Sequence, residues 1–106
     1  MKKIFNILIA TIFISLLFSS CTKTKYGDVT FWQKTGSGYG ITVVSLEGVT
    51  SNITSEYGST PDCGSSGCAV FNNIETGTYN YGASDGTDSW SGSVRITERC
   101  LTMELY

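Results

Sequence analysis

Histidine is absent from the sequence, and proline occurs only once. Without an imidazole the Ser-His-Asp and Cys-His nucleophile systems cannot be built, and the commonest metal ligand is missing. Positive charge is also scarce. Seven Lys and Arg stand against nine Asp and Glu, a formal net charge of −2. Nucleic acid calls for a basic patch, so no nucleic-acid partner is expected. Sustained helical periodicity is lacking from Asp28 onward, which turns the reading away from helical folds. A length of 106 residues allows one domain at most.

What is present begins with a leader. Lys2 and Lys3 precede an apolar run from Ile4 to Phe18. A membrane span needs roughly twenty residues, so this shorter run matches a secretory signal peptide. Leu17-Phe18-Ser19-Ser20-Cys21 resembles the lipobox of bacterial lipoproteins, with Phe18 where an aliphatic residue is usual. The resemblance implies a signal peptide over 1–20, lipidation of Cys21 and anchoring by several acyl chains. One chain holds a protein only marginally at a membrane, whereas several make release negligible. An ordinary signal peptide cut nearby, with Cys21 in a disulfide, is the alternative. Thr22, where an acidic retention residue would stand, resembles outer-membrane sorting; no acidic run follows to mark the outer surface. The implied location is the bacterial cell envelope, at the outer membrane facing the periplasm.

Without residues 1–20 the chain keeps five basic and nine acidic side chains and all twelve glycines. Residues 21–27 read as a polar tether, with Lys23 and Lys25 near the membrane. Residues 28–106 read as a single β-domain. Short β-rich stretches alternate there with Gly, Ser, Asn and Asp clusters. Strands are predicted at 28–33, 41–46, 49–55, 68–72, 78–84, 89–97 and 100–105. Glu47-Gly48 and Asp85-Gly86-Thr87 have the composition of tight turns. Side-chain alternation points Val29 and Phe31 inward. The same holds for Val49 with Ile53, for Tyr79, Tyr81 and Ala83, for Trp90, Val94 and Ile96, and for Leu101, Met103 and Leu105. Seven strands in so short a chain bury enough only as two packed sheets, so the expected fold is a seven-stranded antiparallel β-sandwich.

Phe71-Asn72-Asn73-Ile74-Glu75-Thr76-Gly77-Thr78-Tyr79-Asn80-Tyr81-Gly82-Ala83 resembles the "F..L..G.Y.....A" stretch of transthyretin-like sandwiches, such as carboxypeptidase regulatory-like and Cna B-type modules. The resemblance covers residues 40–106 and implies that Phe71 ends a core strand. Ile74 would plug the bottom, Gly77 would permit the turn back, and Tyr79 and Tyr81 would enter the core. Such domains serve as stalks, spacers and binding modules. Only three lysines follow the leader, and no Lys–Asn–acid set stands out, so an intramolecular isopeptide bond is not carried over.

The chemistry-bearing residues are few. Cys63, Cys68 and Cys100 remain once Cys21 is set aside, an odd number for an oxidising compartment. Cys63-Gly64-Ser65-Ser66-Gly67-Cys68 guarantees proximity, so Cys63–Cys68 is the favoured disulfide; a bridge from either to Cys100 would close a longer loop and stabilise more. The spacing is neither a C-x-x-C redox motif nor a zinc pattern. Asp62, Asp85 and Asp88 read as turn residues rather than catalytic acids or calcium ligands. No metal and no cofactor is expected. Trp32, Tyr39 and Tyr57 are the candidate binding residues, because aromatics beside Gly/Ser/Asn loops offer contact area at low entropic cost. The functional expectation is a non-enzymatic envelope lipoprotein acting as a structural or protein-binding module. Its partners would be the membrane, through the anchor, and an envelope protein. The alternative is a carbohydrate-binding accessory that uses those aromatics against a glycan.

Overall fold

A computed structural model of the chain describes residues 23–106. The expected signal peptide over 1–20 and the lipidation candidate Cys21 lie outside the described residues. The strands are β1 (Tyr26–Trp32), β2 (Thr42–Leu46), β3 (Val49–Ile53), β4 (Ala69–Glu75), β5 (Gly77–Ser84), β6 (Ser89–Ile96) and β7 (Cys100–Glu104). They form a three-stranded sheet of order β4-β1-β7 and a four-stranded sheet of order β3-β2-β5-β6. The protein is a β-sandwich.

Local chemistry sets the connections. Leu46 pairs with Val49 across a two-residue loop in which Glu47 and Gly48 hold φ of 49° and 80°. Positive φ at both central residues matches the twist of a hairpin, and Gly48 adopts it without a Cβ penalty. Val49 sits at the tip of this hairpin and is exposed, contrary to its expected inward position; Ile53 is buried at the other end. Thr76 alone separates β4 from β5, so the chain changes sheet in one step. The Tyr79 hydroxyl donates to the Glu75 carbonyl at 2.5 Å and fastens that corner.

Three further sequence expectations are corrected. Tyr26 and Gly27 are strand residues paired with Glu75 and Ile74, so the tether is shorter than 21–27. A Cβ at Gly27 would fall onto the Thr97 carbonyl oxygen, and the close backbone approach explains why glycine stands there. Phe71 does not end its strand, because β4 continues to Glu75 through a bulge that sets Asn72 and Asn73 opposite Asp28. Asn73 takes φ of 57°, and its N–H donates to Asp28 Oδ1 at 2.9 Å, pinning the irregularity. The sandwich is also not wholly antiparallel, since β7 pairs with β1 in parallel from Asp28↔Cys100 to Trp32↔Glu104. β6 belongs to the other sheet, so residues 97–99 carry the chain across the sandwich instead of closing a hairpin.

Between the sheets lie Val29, Phe31, Val44, Leu46, Ile53, Ala69, Phe71, Val94 and Ile96, with Tyr79, Tyr81, Trp90, Leu101 and Met103 packed against them. Phe31 is the hub, edge-on to Phe71 at 5.9 Å and tilted against Tyr81 at 5.0 Å between ring centroids. The far side of the four-stranded sheet is polar, with Thr78, Asn80, Ser91, Ser93 and Arg95 exposed.

Strand directions sort the connections into two ends. The described N-terminus, the 47–48 hairpin, the Thr76 corner and the 97–99 crossing share one end. There Lys25 O accepts from Thr76 N at 2.9 Å, and the exposed Lys25 and Glu98 side chains approach to 3.8 Å. Segments 33–41, 54–68 and 85–88, with the C-terminal residues, gather at the opposite end.

Candidate functional site

The end remote from the described N-terminus is built around β1, which is buried on both faces. Val29 and Phe31 face the core, while Thr30 and Trp32 point the other way; all four are buried. Trp32 is only 4 % exposed and lies outside the main core cluster. Strand parity sets one of the Phe31–Trp32 pair toward solvent or a second contact surface, and the 54–67 segment supplies that surface by folding over the outer face. Gly64 N donates to Thr30 Oγ1 at 3.0 Å, Tyr57 N donates to Gln33 O at 3.0 Å, and Thr35 N donates to Tyr57 O at 3.0 Å. Trp32 is therefore removed from the candidate binding residues.

A disulfide holds this cover down, and it is Cys63–Cys100, with a Cα–Cα separation of 6.2 Å. The expected Cys63–Cys68 bridge is not formed. The parallel register sets Cys100 beside Asp28 at the start of β7. The covering loop brings Cys63 Sγ to 3.5 Å from Thr30 Oγ1 and 3.8 Å from Leu101 O. Cys68 leads into β4 as a buried free thiol. Burial pushes its pKa up, so it stays protonated and is a poor nucleophile.

The other two binding candidates divide. Tyr57 is half-buried, and its hydroxyl donates to the Ser66 carbonyl, so it braces the covering loop. Tyr39 is also half-buried and stands edge-on to Trp90, with ring centroids 4.8 Å apart. It separates two depressions. One cavity, of about 430 Å³, is lined by Gln33, Tyr39, Gly40, Ile41, Ile53, Thr54, Ser55 and Glu56. On the far side a groove of similar volume runs between the edges of β6 and β7, past Tyr81, Trp90, Met103, Glu104 and Tyr106. The Trp90 indole is held by its N–H, which donates to Tyr106 O at 3.2 Å.

Gln33 and Trp90 are thus additions to the sequence-derived set. Trp90 is assigned to the core by alternation and does pack there, but at the open edge of the sandwich it also lines the groove. Gln33 gives no signal in the sequence beyond following the Phe31-Trp32 pair. Its side chain is 1 % exposed, and Thr42 Oγ1 donates to its Oε1 at 3.1 Å. Among the described residues its Nε2 is the buried side-chain polar atom left without a partner. The rim of the cavity carries Glu56, whose oxygens accept from Gly36 N at 3.1 Å and Ser37 Oγ at 2.7 Å.

The turn at 85–88 completes this end. Asp85 Oδ1 accepts from Asp88 N at 2.6 Å and Thr87 N at 2.9 Å, and these backbone bonds hold its carboxyl below the usual range. The sequence reading of Asp85 as a turn residue agrees with this bonding.

No family model matches the sequence, and neither curated proteins nor solved structures give a match.

Proposed function

We propose that the protein is a non-enzymatic lipoprotein of the bacterial cell envelope, anchored through Cys21, whose sandwich presents its remote end as a binding surface. The observation that carries the reading is the separation of the described N-terminus from Tyr39, Trp90, Tyr106 and the Gln33 cavity, which lie at opposite ends. A chain tethered at Cys21 would hold those residues away from its own membrane. The chemistry at that end favours binding over catalysis. The Asp85 carboxylate is engaged by backbone N–H groups, and the Cys68 thiol is buried and protonated.

Photo-crosslinking in intact cells tests it. A photoreactive residue at Tyr39 or Tyr106 is expected to capture a partner, while one at Val49 or Glu98 captures none. The Cys21→Ala chain is expected in the soluble fraction. Membrane retention of that variant would refute the anchor, and equal capture from both ends would refute the polarity.

A further inference from the structure

The buried amide of Gln33 poses an accounting problem that the chain does not solve. Thr42 Oγ1 has one proton to give. Donated to Gln33 Oε1 at 3.1 Å, it leaves Nε2 unpaired. Donated instead to Gly40 O at 3.3 Å, with the amide reversed, it lets Nε2 reach Thr42 Oγ1 but leaves Oε1 unpaired. Oxygen and nitrogen of a glutamine amide are assigned from the bonding network, so both arrangements have to be considered. One buried amide atom is left over in each. A buried polar atom without a partner is costly and asks for a reason.

The cavity beside it supplies one. Its volume of about 430 Å³ lies in the range of small-molecule sites, which are concave, mostly apolar and carry a few orienting polar groups. Ile53 is buried and Ile41 is exposed, so two isoleucines give apolar surface to a wall that Gln33, Thr54, Ser55 and Glu56 otherwise make polar. Tyr39 adds an aromatic ring, and its contact with Trp90 fixes that ring in place. Glu56 adds negative charge at the rim and disfavours an anionic ligand.

Resting on the anchored binding-module reading, we propose that this cavity takes a neutral sugar carrying an acetamido group, an N-acetylhexosamine within a glycan. An acetamide has both a carbonyl acceptor and an N–H donor, so it satisfies the leftover Gln33 atom in either orientation. Its methyl group packs on the isoleucines, and the apolar face of the sugar ring lies against Tyr39. A plain hexose lacks the amide and leaves the Gln33 atom unpaired. Gln33 lines the cavity but is only 1 % exposed, so seating of the sugar opens the packing around its amide while Tyr39 and Ile41 keep their places in the wall.

The test is titration of the full-length lipidated protein in nanodiscs with tri-N-acetylchitotriose and, separately, with cellotriose, followed by tryptophan fluorescence. The acetamido trimer is expected to bind and cellotriose to bind at least about tenfold more weakly, the ratio that one neutral hydrogen bond supports. Gln33→Met is expected to raise the thermal midpoint, because it removes the unpaired atom, and to weaken the trimer about tenfold. Tyr39→Ala is a second route to the same loss should the methionine variant not fold. Equal affinity for the two sugars, unchanged affinity in both variants, or no binding at about 5 mM sugar overturns the proposal. Capture on purified peptidoglycan or on chitin beads distinguishes the cell's own wall from an external glycan as the source. None of these results bears on the anchor, which stands or falls on the fractionation of Cys21→Ala.

Discussion

Asp85 shows how much a single side chain contributes when the backbone around it is short of acceptors. The N–H groups of Thr87 and Asp88 belong to a turn and have no ladder partner, and one carboxylate oxygen serves both. These bonds favour the ionised form and hold the carboxyl below its usual value. An acid whose pKa is lowered on folding adds stability above its unfolded pKa, and that contribution fades as pH falls through the folded value. Asp85→Asn keeps the acceptor but not the charge. Wild type is therefore expected to resist urea better than this variant at pH 6, with the difference closing below about pH 4, where carboxyls of the unfolded chain protonate. Urea midpoints measured across that range check it; a difference that does not change with pH would mean that the charge plays no part. Asp85 was readable in the sequence because turn chemistry is local. Gln33 was not, because its burial and its leftover atom arise only when Thr42 and the 34–41 segment close around it.

At the scale of elements the same division holds between local and long-range causes. Alternation along Thr78–Ser84 or Ser89–Thr97 reports which side chains face inward, and the observed β5 and β6 differ from those spans only at their ends. The double burial of β1 was not legible. The 54–67 segment, distant in sequence, covers Thr30 and Trp32, and no periodicity in Tyr26–Trp32 announces it. The disulfide belongs to the same class. Six residues of loop make Cys63 and Cys68 neighbours by chain length, but the sheet register delivers Cys100 to the place where the loop lands. Closing a loop of 37 residues' separation is worth about 4 kcal/mol on the chain-entropy view. The paired change Cys63→Ser with Cys100→Ser is expected to cost about that much in chemical denaturation. Cys68→Ala is expected to cost roughly 1 kcal/mol or less, as a small change at a site without a bridge. A loss from Cys68→Ala as large as from the paired change would show that Cys68 is in the bridge.

The whole molecule has a polarity that follows from its strand count and connections. An even number of strand reversals lies between the start of β1 and the start of β7, so both begin at the N-terminal end. Segments 33–41, 54–68 and 85–88 all fall at the other end. Under the proposed anchor at Cys21, the start of β1 at Tyr26 would leave four residues as the tether. Four residues span at most about 14 Å when extended, which is too short for the sandwich to turn over freely against a surface. In that arrangement Lys23 and Lys25 would add only a weak attraction to anionic head groups. For the lipidated protein in nanodiscs containing a small fraction of gadolinium-chelating lipid, paramagnetic broadening is therefore expected to be graded along the sandwich. Backbone amide signals from Lys25, Gly48 and Glu98 should broaden strongly, while those from Tyr39, Tyr57, Asp85 and Tyr106 should keep their intensity. The same spectrum recorded without the chelated ion supplies the reference. Uniform broadening would describe a domain tumbling freely on its tether, and the reverse gradient would put the Gln33 cavity against the membrane. Either result would withdraw the remote end as the surface that meets a partner.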